Sequence, residues 1–370
     1  MRSVFWISVA FIAYAYVGYP AFLGLCARVT RRMRQAGHTP QSLGDLPGVS
    51  VIIAARDEAR RLPARIDNLL QSDYPSDRLQ IIVASDGSTD NTVDALSAYR
   101  DRIELVLLPA AGKANALNAA VLRATNPILV FADARQRFAP DAIRRLVAHF
   151  ADPLIGAVSG ELVLDCEGKS VADEAEQSST IAEGVGAYWR YEKWLRRREA
   201  DVSSTVGVTG AIYAMRRYLW QCLPTDTLVD DVLGPMRLVL RGYRVTFEPL
   251  ARAFDVTAGN ASQELRRKTR TLAGNFQLLV DEPRVLVPGM NPVWLQFVSH
   301  KIARLLVPYA LIALLSSNAA LAISPESGVF YRLAFGAQLM FYALAVYGAA
   351  LDHRARVTPI TTREVNREAA

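Results

Sequence analysis

The sequence is poor in the residues that build disulfide frameworks and metal clusters. It contains only three cysteines and four histidines among its 370 residues. Cys26, Cys166 and Cys222 have no metal-ligand spacing and no evident pairing, and the histidines are scattered. This composition excludes a disulfide-stabilised scaffold and indicates a reducing compartment for the central part of the chain. Internal repeats and low-complexity tracts are also absent, which excludes a solenoid.

Charge is missing from residues 4–27, near the start of the chain. A helix of that length can span the roughly 30 Å hydrocarbon layer of a membrane. A signal peptide is the alternative, but only Arg2 precedes the apolar run and no small-residue cleavage site follows it. We therefore expect a retained membrane helix. The arginines that follow are Arg28, Arg31, Arg32 and Arg34, and by the positive-inside rule they place that end in the cytoplasm.

Two more apolar runs, 305–323 and 329–351, lie near the C-terminus and flank the short turn SPESG. They predict a membrane hairpin. The basic residues at its outer ends are Arg304, His353, Arg354 and Arg356. Three spans then place residues 28–300 in the cytoplasm and the N-terminus outside, as expected for a multi-pass protein of a bacterial-type inner membrane. Residues 286–302 carry Trp294 and Phe297 beside a polar face and predict an interfacial helix.

Between its apolar ends the chain alternates strand and amphipathic-helix patterns, which is typical of an α/β domain. The predicted strands are 49–55, 80–85, 103–108, 127–132, 156–164 and 244–247. The predicted helices begin near Leu62, Ser88, Lys113, Pro140 and Asp231 and include 173–200 and 264–277. The domain prediction is 1–34 for the first span and its basic flank, 35–48 for a linker, 49–285 for the central α/β domain, 286–302 for the interfacial helix, 303–352 for the hairpin and 353–370 for a tail.

Residues 80–92, QIIVASDGSTDNT, form the stretch around which the rest is organised. The apolar run ends abruptly at Ser85 and Asp86, as a buried parallel strand that feeds a tight turn would. Ligands of open α/β sheets bind outside the carboxyl ends of the strands. Asp86 is therefore a candidate ligand-binding carboxylate, although Asp and Gly are also common turn residues.

Six segments in chain order carry a family resemblance. They are SDGSTDNT, GKANALN, FADARQ, VTGAIYAMRR, LVDDV and RKTRT. Over about residues 49–300 the chain resembles the family 2 glycosyltransferases, the membrane group that includes hyaluronan, chitin, cellulose and poly-N-acetylglucosamine synthases. The resemblance implies a GT-A (Rossmann-like) fold, a mixed sheet flanked by helices, with one N-terminal and two C-terminal transmembrane helices. It also implies a hexosyltransferase-type enzyme.

The resemblance assigns roles to residues of these segments. It implies donor binding by Asp57, Glu58, Asp86, Gly87, Lys113, Asn118, Asp133, Arg267 and Arg270. It implies acceptor binding by Thr209, Gly210, Ala211 and Asp230. Asp133 stands where the metal-binding motif belongs, so it is the predicted ligand of Mg²⁺ or Mn²⁺. Asp231 is the predicted general base that takes the proton of the acceptor hydroxyl.

The chemistry accounts for these residue types. The diphosphate of a sugar nucleotide must be neutralised as it leaves, which a carboxylate-bound divalent cation and side chains such as Lys113 and Arg270 can do. Structural alternatives remain open: Asp230 and Asp231 as a helix N-cap pair, and Lys113 as a solvated surface residue. The other open alternatives are Arg266 and Lys268 on anionic lipid, and Trp189 and Trp194 as interfacial or core aromatics.

Two positions depart from the family pattern. Arg135 replaces the second carboxylate of the metal motif, so metal binding rests on Asp133 and the diphosphate. Thr271 replaces the Trp of the last motif, and Arg267 its Gln, which weakens the case for processive synthesis.

The first interpretation is an inverting transferase that moves sugar from a UDP-linked donor to a lipid-linked or exopolysaccharide acceptor at the cytoplasmic membrane face. A processive β-glycan synthase is the alternative, followed by an inactive nucleotide-binding assembly subunit. The expected partners are a nucleotide sugar, the acceptor and the lipid bilayer. No nucleic acid is expected, and a homo-oligomer is left open.

Overall fold

A computed structural model of the chain describes residues 1–35, 45–165, 180–256 and 261–357. The strands are β1 (Val49–Ala55), β2 (Leu79–Asp86), β3 (Glu104–Leu108), β4 (Ile128–Ala132), β5 (Arg137–Phe138), β6 (Ile155–Asp165), β7 (Ile212–Arg216) and β8 (Arg244–Val256). The helices are α1 (Arg2–Ala13), α2 (Tyr19–Gln35), α3 (Leu62–Leu70), α4 (Thr92–Ala95), α5 (Lys113–Arg123), α6 (Ala142–Ala148), α7 (Thr180–Val202), α8 (Asp230–Leu240), α9 (Ala261–Asp281), α10 (Trp294–Phe297), α11 (Ala303–Ile323) and α12 (Gly328–Val357).

Part of the predicted organisation lies outside the described residues. This part comprises residues 36–44 of the linker, Cys166, residues 173–179 of the helix predicted over 173–200, and residues 358–370 of the tail. The same holds for the side chains of Arg31, Arg32, Arg34, Trp189, His353, Arg354 and Arg356.

The sheet has eight strands in the order β3-β2-β1-β4-β7-β6-β8-β5. Strands β3, β2, β1 and β4 are parallel neighbours, whereas β7 runs antiparallel to both β4 and β6. The sheet is therefore mixed, as predicted. The parallel half brings the ends of β1, β2 and β4 to one edge of the sheet.

Both faces of the central strands are apolar, which explains their continuous hydrophobic sequences. On β1, Val51 and Ile53 pack on one side with Leu62 of α3, and Ile52 packs on the other with Leu117 of α5. All but Leu117 have no exposed surface. Alternate residues of a strand face opposite sides, so one strand supports both cores.

Strands β5 and β7 are absent from the prediction, α9 is longer than the predicted 264–277, and three further elements differ from their predicted extents. The helix predicted after Ser88 is only α4 and a 3₁₀ turn, and the helix predicted to end at residue 302 is α10 followed by a π-helical turn, Val298–Ile302. Strand β8 continues far beyond Phe247, because the pairing of β6 with β8 shifts register between Ser159 and Glu161. A β-bulge of this kind accommodates Pro249, which the ladder of a regular strand would exclude.

The described chain divides into two compact units. One contains Tyr19–Ile302 and holds the sheet, and the other contains Met1–Gly18 and Ala303–Ala370. In the second unit, Trp6 stacks on Phe330 with ring centroids 5.9 Å apart. Three helical stretches are long and apolar enough to be candidate membrane spans: Arg2–Thr30, Trp294–Ile323 and Pro325–Gly348. One is N-terminal and two are C-terminal, in agreement with the prediction.

Candidate active site

The turn after β2 is built around the carboxylate of Asp86. Its Oδ1 accepts hydrogen bonds from the backbone N–H groups of Ala111 at 2.7 Å and Gly112 at 3.0 Å. Gly87 has φ +61°, and a Cβ at this position would lie 2.5 Å from the amide nitrogen of Ala110. Only glycine suits both the backbone conformation and the space. Asp86 and Gly87 therefore fix the loop from which α5 and Lys113 begin.

Asp57 connects the loop after β1 to the loop after β2. Among the residues that the structure describes it is the sole non-glycine with a positive φ, 55°. Its Oδ1 accepts from the N–H of Thr89 at 2.7 Å, and its own N–H donates to Ser88 Oγ at 3.1 Å. The neighbouring Glu58 pairs with Arg61 at 2.8 Å. Left-handed backbone at a non-glycine residue is a feature of functional loops, and here it joins two predicted donor-binding segments.

Lys113 lies between two other predicted site residues, Asp230 and Asp133. Its Nζ lies 3.3 Å from Asp230 Oδ2 and 3.6 Å from Asp133 Oδ1. Desolvation lowers the pKa of Lys113, but Asp230, Asp133 and Asp231 outweigh it, so the pKa is raised and the side chain stays charged. A permanent cation therefore lies beside the predicted metal ligand.

Asp231 packs directly against the predicted acceptor segment. Its carbonyl oxygen accepts from the N–H of Val208 at 2.9 Å. A Cβ on Gly210 would lie 3.3 Å from Asp231 Cβ. The structure thus brings the segment around Gly210 and the predicted base together, although more than twenty residues separate them in the sequence.

The charge on Asp231 is set by opposing neighbours. Burial and the adjacent Asp230 raise its pKa above the usual aspartate value, while Lys301, Lys113 and Arg196 oppose the rise. Arg270, predicted to offset the charge of the diphosphate, is exposed on α9 and is not among them. The principal cations therefore come from other elements, and sequence reasoning missed Lys301 and Arg196. The only sequence signal that could have indicated Arg196 is its position in a basic run. No sequence signal indicates Lys301.

Thr209 is held by side chains from two other elements. Its Oγ1 accepts from Arg196 Nη1 at 2.8 Å, and its N–H donates to Ser159 Oγ at 2.9 Å. Ala211 is buried beside it, directly before β7. The acceptor segment is consequently a fixed element of the site.

Arg135, which replaces the second carboxylate of the metal motif, is paired with Asp255. Its Nη2 lies 3.6 Å from Asp255 Oδ2, and the same oxygen accepts from Gln136 Nε2 at 2.7 Å. Within the described ranges, no group of three or more His, Cys, Asp or Glu residues could hold a metal ion. Mg²⁺ is usually bound by one or two carboxylates together with substrate phosphates. Asp133 is a single carboxylate whose side chain is 34% exposed. It therefore fits binding of Mg²⁺ by one carboxylate together with substrate phosphates.

Asn118 has both ends of its amide engaged by backbone. Its Nδ2 donates to the carbonyl of Leu223 at 2.8 Å, and its Oδ1 accepts from the N–H of Leu223 at 2.9 Å. These bonds clip α5 to the segment that leads to α8. Its predicted contact with the donor stays a prediction.

Arg267 and Arg270 lie on the exposed part of α9, which packs against the segment before Asp230. A Cβ on Gly274 would lie 2.5 Å from Val229 Cγ1. Arg270 is one turn before Gly274 and Arg267 is nearly two, so all three share a face of the helix. Their predicted contact with the donor stays a prediction.

Two comparisons of sequence find relatives of the part of the chain that contains the sheet. The family model described as Glycosyl transferase family 2 matches residues 50–222. The poly-beta-1,6-N-acetyl-D-glucosamine synthase of Staphylococcus aureus (strain COL) is 23% identical over 282 residues, which cover 71% of this chain and 65% of that protein. The probable glycosyltransferase YdaM of Bacillus subtilis (strain 168) is 25% identical over 249 residues, 64% of this chain and 57% of that protein. The chain thus spans 57–65% of these curated relatives.

A solved structure supports the fold. A mannosyltransferase from Pyrobaculum calidifontis in complex with GDP-Man and Mn²⁺ superposes with a TM-score of 0.63 at 24% identity, over 93% of this chain and 98% of that one. The mixed sheet flanked by helices is therefore GT-A-like, as predicted. Residues 50–222 therefore match glycosyl transferase family 2.

Proposed function

We propose that the protein transfers a sugar, with inversion, from a nucleotide sugar to a lipid-linked or exopolysaccharide acceptor at the cytoplasmic membrane face. The observation that carries this proposal is the meeting of Lys113, Asp133 and Asp230, with Asp231 beside the acceptor segment. Sugar transfer needs a cation that neutralises the phosphates, a carboxylate that binds the metal and a carboxylate that accepts a proton.

The donor is a nucleotide sugar, with a UDP-linked sugar as the first choice. Asp86 and Asp57 are the carboxylates of the nucleoside end, at the turns after β2 and β1. Lys113 offsets the diphosphate charge, since its Nζ lies between two carboxylates at the start of α5. The P. calidifontis structure contains GDP-Man, so GDP-linked donors belong in the same screen.

Asp133 is the protein ligand of Mg²⁺ or Mn²⁺, with the remaining ligands supplied by the donor phosphates and water. When bound, the ion acts as a Lewis acid on the departing diphosphate. The Mn²⁺ of the P. calidifontis structure supports a divalent ion. Lys113 keeps a second positive charge at the same place, which neutralises part of the diphosphate charge where Arg135 leaves the metal with one carboxylate fewer.

Asp231 accepts the proton of the acceptor hydroxyl. Its raised pKa makes it a stronger base than a solvated aspartate, and its nearby cations keep it ionised. In-line attack opposite the leaving diphosphate inverts the anomeric centre. An α-linked donor then gives a β-linked product.

A processive β-glycan synthase is the second candidate. The printed name of the S. aureus relative, a poly-N-acetylglucosamine synthase, favours it. Thr271, where the synthases carry Trp, favours a single addition. The length of the product separates the two.

The membrane and its topology belong to the proposal. Three candidate spans support a multi-pass protein, with the catalytic domain predicted over 49–285 in the cytoplasm and the N-terminus outside.

The test is a donor screen with the full chain in native membranes. Labelled UDP- and GDP-sugars are supplied, and both released nucleotide and product mass are measured. The Asp231→Asn variant, prepared identically, is the matched control. We expect acceptor-dependent nucleotide release with one donor by the wild type only. Equal release by wild type and variant, or none with any donor, would contradict the proposal.

A further inference from the structure

A small polar cavity lies beside Asp231, on the side of α7. Its volume is about 50 Å³. Its charged lining consists of Glu192, Arg196, Glu199, Asp231, His300 and Lys301. Pockets for small-molecule ligands usually measure about 300–1,000 Å³. The cavity is smaller than a typical small-molecule pocket, and its lining is mostly charged.

Lys301 reaches this cavity from the π-helical turn Val298–Ile302. Single π-helical turns are rare and often occur at functional sites. The turn is tied to α7 through His300: its Nδ1 lies 2.7 Å from Glu199 Oε1 and its Nε2 lies 3.3 Å from Glu192 Oε2. The residue before Lys301 is thus held at both ring nitrogens.

Glu199 is the α7 residue at the centre of the contacts with the π-helical turn. Its side chain has no exposed surface, and its Oε1 also accepts from Tyr19 Oη at 3.1 Å. Its backbone carbonyl and that of Ser204 both accept from Gln296 Nε2, at 3.3 and 3.1 Å. Burying a carboxylate costs free energy unless it is paired and hydrogen-bonded. These bonds fix the end of α7 to the segment that carries Lys301.

The charged groups around Asp231 come from four elements. Asp230 adjoins it on α8, Lys113 lies at the start of α5, Arg196 lies on α7, and Lys301 lies on the π-helical turn. The cavity adds Glu192, Glu199 and His300.

Two of the three cations already have partners on other loops. Arg196 donates to Thr209 Oγ1, and Lys113 lies between Asp230 and Asp133, where the donor diphosphate is proposed to bind. Lys301 lines the cavity together with Asp231, Glu192 and Glu199.

We propose that Lys301 is a positioning residue for sugar transfer: it stabilises ionised Asp231 from the cavity side, and the His300–Glu199 pair holds it there. This inference rests on the proposed role of Asp231 as the base.

The expected signature is a shift of the pH profile. Lys301 is the strongest of the cations that oppose the raised pKa of Asp231. Removing it raises the pKa further, and the base must be ionised to act. The acid limb of kcat therefore moves to higher pH, by about one unit for the loss of a nearby opposite charge.

The experiment measures kcat against pH for the full chain in membranes, together with nucleotide affinity. Lys301→Gln is compared with Lys301→Arg and with Lys193→Gln; Lys193 is another lysine of this unit, paired with Glu161 at 2.6 Å. We expect the upward shift in Lys301→Gln only, with nucleotide affinity unchanged. A lower kcat with an unshifted limb would show that Lys301 is merely structural and would overturn the inference.

Glu199→Gln tests the anchor separately. Loss of its negative charge alone would move the acid limb to lower pH, whereas release of Lys301 moves it to higher pH. We expect the acid limb of Glu199→Gln to move to higher pH. A move to lower pH would overturn the anchoring role of Glu199. Substantial sugar transfer by Asp231→Asn would instead contradict the proposed base, and that result is independent of the Lys301 profile.

Discussion

Lys113 Nζ lies 3.3 Å from the carboxylate of Asp230, so the first residue of α5 is ion-paired to the first residue of α8. The loop before α5 is fixed by Asp86, and α8 carries Asp231. A single cation therefore connects the predicted donor loop to the helix that carries the predicted base. Changes in charge on the donor side will reach Asp231 through Lys113, because it is one of the cations that oppose the raised pKa of that carboxylate.

The first prediction concerns the metal. Asp133→Asn removes the one carboxylate assigned to the ion, so the Mg²⁺ or Mn²⁺ concentration needed for half-maximal activity should rise, or turnover should cease. Titration of metal into EDTA-treated membranes measures this. The control is Asp141→Asn, which removes a carboxylate paired with Arg145 on α6 and should leave the requirement unchanged. A wild-type rate that survives EDTA intact would refute the metal role.

The second prediction concerns Asp86. Asp86→Ala removes the acceptor of two backbone N–H groups and the carboxylate assigned to the nucleoside. We expect a raised donor KM and weaker binding of the free nucleotide, measured by calorimetry. Gly87→Ala is the informative companion, because it disturbs the same loop and keeps the carboxylate. Equal weakening in both variants would assign the effect to loop geometry alone.

The sequence predicted the parallel half of the sheet well. Strands β1, β2 and β4 start and end within one residue of their expected limits. A continuous apolar run that ends in a polar turn is typical of a buried parallel strand, so the strand limits could be predicted. The same pattern placed Asp86 and Asp133 at one edge of the sheet. Local sequence was sufficient there because parallel topology converts strand ends into neighbours.

Long-range contacts could not be predicted from the sequence. The pairing of Arg135 with Asp255 joins residues 120 positions apart, and no local pattern indicates it. Lys301 is placed by an irregular π-helical turn in a segment with an apolar, interfacial pattern. The extension of β8 depends on a bulge opposite Gly160, whose Cβ would lie 2.6 Å from the carbonyl of Ala251. Such features follow from packing between elements.

The third prediction concerns membrane topology. The turn between α11 and α12 contains Glu326, and the basic residues that flank the hairpin predict that this turn is outside. Glu326→Cys, with Cys26, Cys166 and Cys222 replaced by Ser, should react with an impermeant maleimide in intact cells. A reporter fused after Ala370 should be active only in the cytoplasm. Labelling of Glu326→Cys only after lysis would reject the hairpin.

The last prediction separates the two carboxylates at the start of α8. Asp231→Asn keeps the shape of the side chain and removes the base, and loss of a general base typically costs about 10²–10⁴-fold in rate. Nucleotide affinity should remain almost unchanged, because the donor is assigned to Asp86, Lys113 and the metal.

Asp230→Asn is the matched variant. It removes one partner of Lys113 and leaves the other, Asp133, at 3.6 Å. It also removes the neighbouring charge that raises the pKa of Asp231, so the acid limb should move to lower pH while sugar transfer falls less than in Asp231→Asn. Nucleotide binding and sugar transfer must be measured on the same folded preparations. Near wild-type transfer by Asp231→Asn beside an inactive Asp230→Asn would reverse the assignment, with Asp230 as the base.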